Sequence, residues 1–162
     1  MTPPPTLSLP QTGTCRCGRT QIRITAPPLL TMACHCTGCQ RMTSAPYSLT
    51  AAIPIPAFSV VSGTPVLGGT KNPDGAQHYF CPDCMSWMYT QPKGAPFVCA
   101  RPTMFDDAGS WCIPFIETWT SEKIPWAQTP AERSFEGFPP GDEYEGLFAA
   151  YAAKMAAEEG NK

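Results

Sequence analysis

The chain has 162 residues, with 20 Pro, 13 Gly and 9 Cys, and a formal net charge of −2. The length suits one ordinary domain that needs no staple merely to fold. The near-neutral charge, with scattered arginines and no basic block, argues against a nucleic-acid groove, and the odd cysteine count excludes a fully paired intramolecular disulfide framework.

Residues 1–12 read as an N-terminal tail, extended at Pro3, Pro4 and Pro5. The tail has neither the basic nor the apolar stretch of a secretory signal. No apolar run approaches the roughly 18 residues of a membrane span. Both features lead us to expect a cytoplasmic protein, and in a reducing compartment closely spaced cysteines point to metal rather than disulfides.

From 13 to 138 the sequence predicts one β domain. Gln21 to Thr25 alternates in polarity, a strand with one buried face that Pro27 and Pro28 end. Leu29 to Ala33 is a second short apolar run, and a helix is expected after Thr37, limited by Pro46. Tyr47 to Ile55 reads as strand, as does Phe58 to Val61, stopped by Ser62-Gly63. Residues 68–77 carry three turn signals, Gly-Gly, Asn-Pro and Asp-Gly. His78 to Phe80 and Trp87 to Thr90 flank a cysteine pair like the arms of a hairpin. Phe97 to Ala100 and Trp111 to Thr120 are further strands, separated by a turn at 106–110. Residues 139–162 predict a helix packed on the domain, with Asp142 and Glu145 as a capping box and Tyr144, Leu147, Phe148, Tyr151 and Met155 on its apolar stripe.

The cysteines fall into groups. Cys15-x-Cys17 and Cys81-x-x-Cys84 are two close pairs far apart in sequence, the pattern of a tetrahedral thiolate site assembled by the fold. A metal there would clip the first strand to the central hairpin and link metal to stability. The rival readings are a redox-active Cys-x-x-Cys, which wants a βαβ setting, and inert core thiols. The run Cys34-His35-Cys36-Thr37-Gly38-Cys39 places three thiols within six residues. Three ligands leave a tetrahedral ion one position open, which is how catalytic zinc differs from structural zinc. His35 lies between two ligands, and in extended chain its side chain points away from theirs, so it reads as a support rather than a fourth ligand. A second role for Cys39 is the N-terminus of the helix, where a thiolate is favoured. Cys99 and Cys112 sit in strand-like settings and read as packing.

These constellations, in this order, resemble the family of glutathione-dependent formaldehyde-activating enzymes, which includes the CENP-V-like proteins. The resemblance runs from Gly13 to about Trp126. It is carried by Gly13-Thr14-Cys15-Arg16-Cys17-Gly18, by the Cys34 to Cys39 run with Arg41, by Phe80-Cys81-Pro82-Asp83-Cys84, and by Asp106-Asp107 with Pro114, Glu117 and Pro125-Trp126. It implies a mainly β, Mss4-like fold of several small coiled antiparallel sheets around zinc sites, with a C-terminal helix. It implies a structural zinc on Cys15, Cys17, Cys81 and Cys84 and a more labile catalytic zinc on Cys34, Cys36 and Cys39. The implied activity is that of a carbon–sulfur lyase joining glutathione and formaldehyde as S-(hydroxymethyl)glutathione. Arg41, and with it Lys71, would receive the carboxylates of a glutathione-like co-substrate. Departures from the family pattern include Met85, where Gly is common, and Glu117, where some members place His. The expected partners are a small thiol and a small carbonyl compound, with no membrane and no nucleic acid; a homodimer stays open. The alternative is a zinc-stabilised binding module of the same fold without catalysis.

Overall fold

A computed structural model describes residues 7–69 and 75–160. Along these residues the chain forms β1 (Gln11–Thr14), β2 (Gln21–Ile24), β3 (Leu30–Cys34), α1 (Thr37–Thr43), β4 (Ser48–Pro54), β5 (Phe58–Ser62), β6 (Val66–Gly68), β7 (Gln77–Phe80), β8 (Trp87–Gln91), β9 (Phe97–Ala100), α2 (Ala108–Trp111), β10 (Ile116–Thr118), β11 (Arg133–Ser134) and α3 (Tyr144–Gly160). The fold is a β-rich mixture of two sheets, short helices and a long C-terminal helix, in line with the family fold the sequence resembles. No helix among the described residues is long and apolar enough to cross a membrane.

Where the sequence reads as one β domain with a helix appended, contacts divide the chain into two compact units. The first holds residues 7–28 and 51–109, and the second holds 29–50 and 110–160 among those described. β4 begins in the second unit and finishes in the first.

The first unit contains the sheet β1-β2-β5 and the strand order β4-β9-β8-β7-β6. Gln11 and Thr12, assigned to the tail from sequence, pair with Ile24 and Arg23 and so belong to β1. The alternation in β2 works as expected: Ile22 and Ile24 are wholly buried while Arg23 is exposed. Burial of each such side chain is worth about 1.5–3 kcal/mol. β5 ends at Ser62, and Gly63 follows it at φ +76°, where a Cβ would lie 2.7 Å from the Arg19 carbonyl oxygen. β7 and β8 form the antiparallel hairpin around Cys81 and Cys84.

The second unit has the order β11-β10-β3-β4, with β10 parallel to both β3 and β11. All five residues of β3 are buried. The strand expected over 111–120 is shorter than the sequence suggests. Trp111 closes α2, and only 116–118 pair as strand. Pro114 has no N–H to give a ladder, and beside it the Phe115 N–H donates to the Thr31 carbonyl oxygen at 3.0 Å. α3 buries Leu147 and Tyr151, one turn apart, and the Tyr151 ring lies 5.5 Å from that of Phe115. Its start differs from the expected capping box. Asp142 lies inside a 3-10 turn, 141–143, that leads directly into the helix.

Candidate metal centres

The first cluster is built from two similar turns. After β1, the Cys15 N–H donates to the Thr20 carbonyl oxygen at 3.0 Å and the Gly18 N–H to the Cys15 carbonyl oxygen at 3.0 Å. After β7, the Cys81 N–H donates to the Ser86 carbonyl oxygen at 3.0 Å and the Met85 N–H to the Cys81 carbonyl oxygen at 2.9 Å. Each turn needs a left-handed residue just past its second cysteine. Gly18 supplies it at φ +82°, and Met85 does so at φ +58°. A side chain at this left-handed position costs about 1–2 kcal/mol of backbone strain.

The turns bring the sulfurs of Cys15, Cys17, Cys81 and Cys84 within 4.8 Å of one another. Cys15 and Cys17 are 3.5 Å apart, and Cys17 and Cys81 are 3.8 Å apart. Four thiolates around one tetrahedral ion with metal–sulfur bonds of about 2.3 Å require sulfur separations of about 3.8 Å. The donor set therefore fits a metal. Its electrostatics agree. The Ser86 hydroxyl at 3.2 Å holds the Cys84 thiol down to about 5. The Arg19 backbone N–H works in the same direction on Cys17, but desolvation and the neighbouring sulfurs outweigh it and push that thiol up to about 12. Four sulfurs this close resist sharing further negative charge, and a cation among them removes that resistance. Outside the sulfurs, Arg19 forms an ion pair with Asp83 and ties one turn to the other.

The second cluster gathers Cys34, Cys36 and Cys39, also with all sulfurs within 4.8 Å of one another. Cys34 is the last residue of β3. Cys36 is the N-cap of α1, at φ −59° and ψ 147°, and its sulfur accepts the Cys39 N–H at 3.3 Å. Cys39 is therefore the third residue of the helix, in its first turn, rather than its cap. The helix ends at Ser44 in the left-handed conformation, two residues before Pro46. The Cys34 thiol acts as donor to Cys39 and lowers it, while Cys34 itself is raised by that same bond and by burial. Burial raises Cys36 as well.

His35 is not one of the grouped ligands. Its ring is fully buried and its Nε2 lies 3.0 Å from Glu117 Oε2. Glu117 also accepts from Lys123 Nζ at 2.9 and 3.1 Å, from the Thr129 hydroxyl at 2.8 Å and from the Ser134 hydroxyl at 2.8 Å. Burial pushes the Glu117 carboxyl up, but the Lys123, Ser134, Thr129 and His35 donors prevail and hold it down to about 2. Three further hydrogen bonds hold the start of α1. Glu122 accepts the Thr37 N–H, and the Gln40 amide donates to the carbonyl oxygens of His35 and Glu122 at 2.7 and 3.0 Å.

Of the other residues singled out from sequence, Arg41 lies exposed in the last turn of α1. Lys71 falls outside the described residues. Cys99 and Cys112 are buried, on β9 and just past α2. His78 is half-buried, with Nδ1 2.8 Å from the Thr90 hydroxyl. Glu117, Glu122, Lys123 and Gln40 were not read as site residues from sequence. The available signal was a single carboxylate within the apolar run 113–119.

A family model described as glutathione-dependent formaldehyde-activating enzyme matches residues 10–122. No curated protein matches the chain. Among solved structures, a Rhodobacter sphaeroides protein aligns with a TM-score of 0.48 at 22% sequence identity, covering 59% of this chain and 87% of that one.

Proposed function

Because the chain belongs to the glutathione-dependent formaldehyde-activating enzyme family, we propose that it is a zinc-dependent carbon–sulfur lyase acting on the adduct of a glutathione-like thiol with a small carbonyl compound such as formaldehyde. The observation that carries this reading is the second cluster: three sulfurs within 4.8 Å of one another, with no fourth Cys, His, Asp or Glu in the group among the described residues. Cys34, Cys36 and Cys39 would hold zinc through three thiolates, and the ion would supply there the chemistry that favours a substrate sulfur as thiolate near neutral pH. The first cluster, with its full set of four thiols, is the structural counterpart.

The protein's own residues orient the reaction. Cys34, Cys36 and Cys39, on a strand end and a helix start, would hold the ion. Arg41, exposed on α1 two residues past Cys39, receives a carboxylate of the thiol. In the forward direction a carbon–sulfur bond forms, the carbonyl π pair moves to oxygen, and the proton released by the thiol ends on that oxygen. The lyase direction reverses each step, and nothing is oxidised or reduced. The reading goes with a reducing, cytoplasmic setting and with small-molecule partners.

The test is native mass spectrometry of protein purified without chelator, with and without glutathione, beside NMR rates of hydroxymethyl-thiol formation for the parent and Cys36→Ser. The parent is expected to carry two zincs and a bound thiol, and Cys36→Ser one zinc and no metal-dependent rate. Equal metal-dependent rates overturn the enzymatic reading. One tightly held zinc with no thiol complex would identify a binding module instead.

A further inference from the structure

The grip on His35 is out of proportion to the packing of one imidazole. An ionised carboxylate only accepts hydrogen bonds, so His35 Nε2 is the donor to Glu117. The same carboxylate is held by three more side chains, from Lys123, Thr129 and Ser134. The backbone of His35 is fixed as well: its N–H donates to the Thr118 carbonyl oxygen at 3.0 Å, and its carbonyl oxygen accepts the Gln40 amide. Side chains alternate along a strand. The register pairs Ala33 with Glu117 and Cys34 with Thr118, so Glu117 stands on the sheet face of Ala33, and continued alternation puts His35 there too, opposite Cys34. His35 is thus immobilised from the side away from the thiols, at the residue that joins two of the three ligands.

We propose that Glu117 is a positioning residue for the second cluster: by gripping His35 it presets Cys34 and Cys36 as a ligand pair and so sets how tightly the cluster holds its metal. The inference rests on the reading that this cluster binds a metal. Partners one step removed from the ligands alter metal affinity by about 10–100-fold in well-studied sites, because a preset geometry spares the cost of ordering the ligands on binding.

Zinc affinity at each cluster is measured by competition with a chromophoric chelator for the parent, Glu117→Gln, His35→Phe, His35→Gln and the double variant Glu117→Gln with His35→Phe. A parent that holds one zinc defeats the metal reading of the second cluster itself. With two zincs in the parent, Glu117→Gln is expected to weaken the second zinc about 10–100-fold while leaving the first in place. His35→Phe is expected to do the same, and the double variant no worse than His35→Phe, since the two act through one contact. His35→Gln, which keeps a side-chain N–H for Glu117, is expected to recover most of the loss. A Glu117→Gln protein with two zincs and parental affinity overturns the proposal, as does full additivity in the double variant. If Glu117→Gln does not fold, the His35 pair decides: weakening by Phe with recovery by Gln upholds the proposal, and equal behaviour of the two overturns it.

Discussion

The two cysteine clusters are made from the same atom type at similar spacing, yet the chain builds them in opposite ways. Cys17 and Cys81 are 64 residues apart in sequence, and two separate turns carry their cluster. Cys34, Cys36 and Cys39 come from one short stretch, and their cluster takes its support from outside, through His35, Glu117 and Glu122. In the first, metal would close a long loop and stand in for missing contacts. In the second, hydrogen bonds hold the segment that carries the candidate ligands, so on the proposed reading a metal there would add little to the fold. On the proposed reading the first would be a four-thiol clip that stabilises and the second a three-thiol site open to exchange.

Paired serine substitutions test that contrast most strongly. Cys81→Ser removes one of four candidate ligands, and the loss is expected to reach several kcal/mol, because metal binding there would add directly to the folding free energy. Cys36→Ser removes the second metal but keeps a good helix N-cap, so its cost should stay within about 1 kcal/mol. Thermal unfolding followed by circular dichroism with stoichiometric zinc measures both. Similar losses for the two would erase the distinction.

Acid gives the next largest effect. The Glu117 carboxyl sits near 2 in the folded chain against an ordinary 4.5. A depressed carboxylate adds stability that is complete above its unfolded pKa and is lost as pH falls through the folded one. The stability gap between the parent and Glu117→Gln, from urea unfolding, is therefore expected to be full at pH 5 and above and to narrow toward pH 2 by up to about 3 kcal/mol. A gap that does not change with pH would show that the carboxylate charge adds nothing to the second unit.

The smallest effect belongs to the first cluster. Met85 is exposed and carries φ +58°, so Met85→Gly relieves strain without removing packing. Set against the extra freedom glycine gains in the unfolded chain, the net gain is expected to be at most about 1 kcal/mol, a rise of a few degrees in Tm. A lower Tm would mean that the Met85 side chain contributes contacts of its own.

Local chemistry made much of this readable in advance. The alternation of Ile22 and Ile24, the apolar arms around Cys81 and Cys84, and the close cysteine spacings each express their structure within a few residues. Glu117 stood out only as a position in the resemblance; its role was not readable, because Lys123 alone is close by, 6 residues downstream, while His35 lies 82 upstream and Thr129 and Ser134 lie 12 and 17 downstream. The strand expected over 111–120 shortens for a local reason: residues 111–115 are apolar, but Pro114 leaves them without a regular ladder. The strain at Met85 was visible only as a departure from a family glycine, and the backbone angle supplies its meaning.

The cap of α1 also makes the chain its own indicator. The Cys39 amide proton points at the Cys36 sulfur at 3.3 Å, so the electron density on that sulfur sets the proton's chemical shift and its exchange rate with water. A single backbone resonance therefore reports, without label or cofactor analogue, whether the three-thiol pocket is loaded.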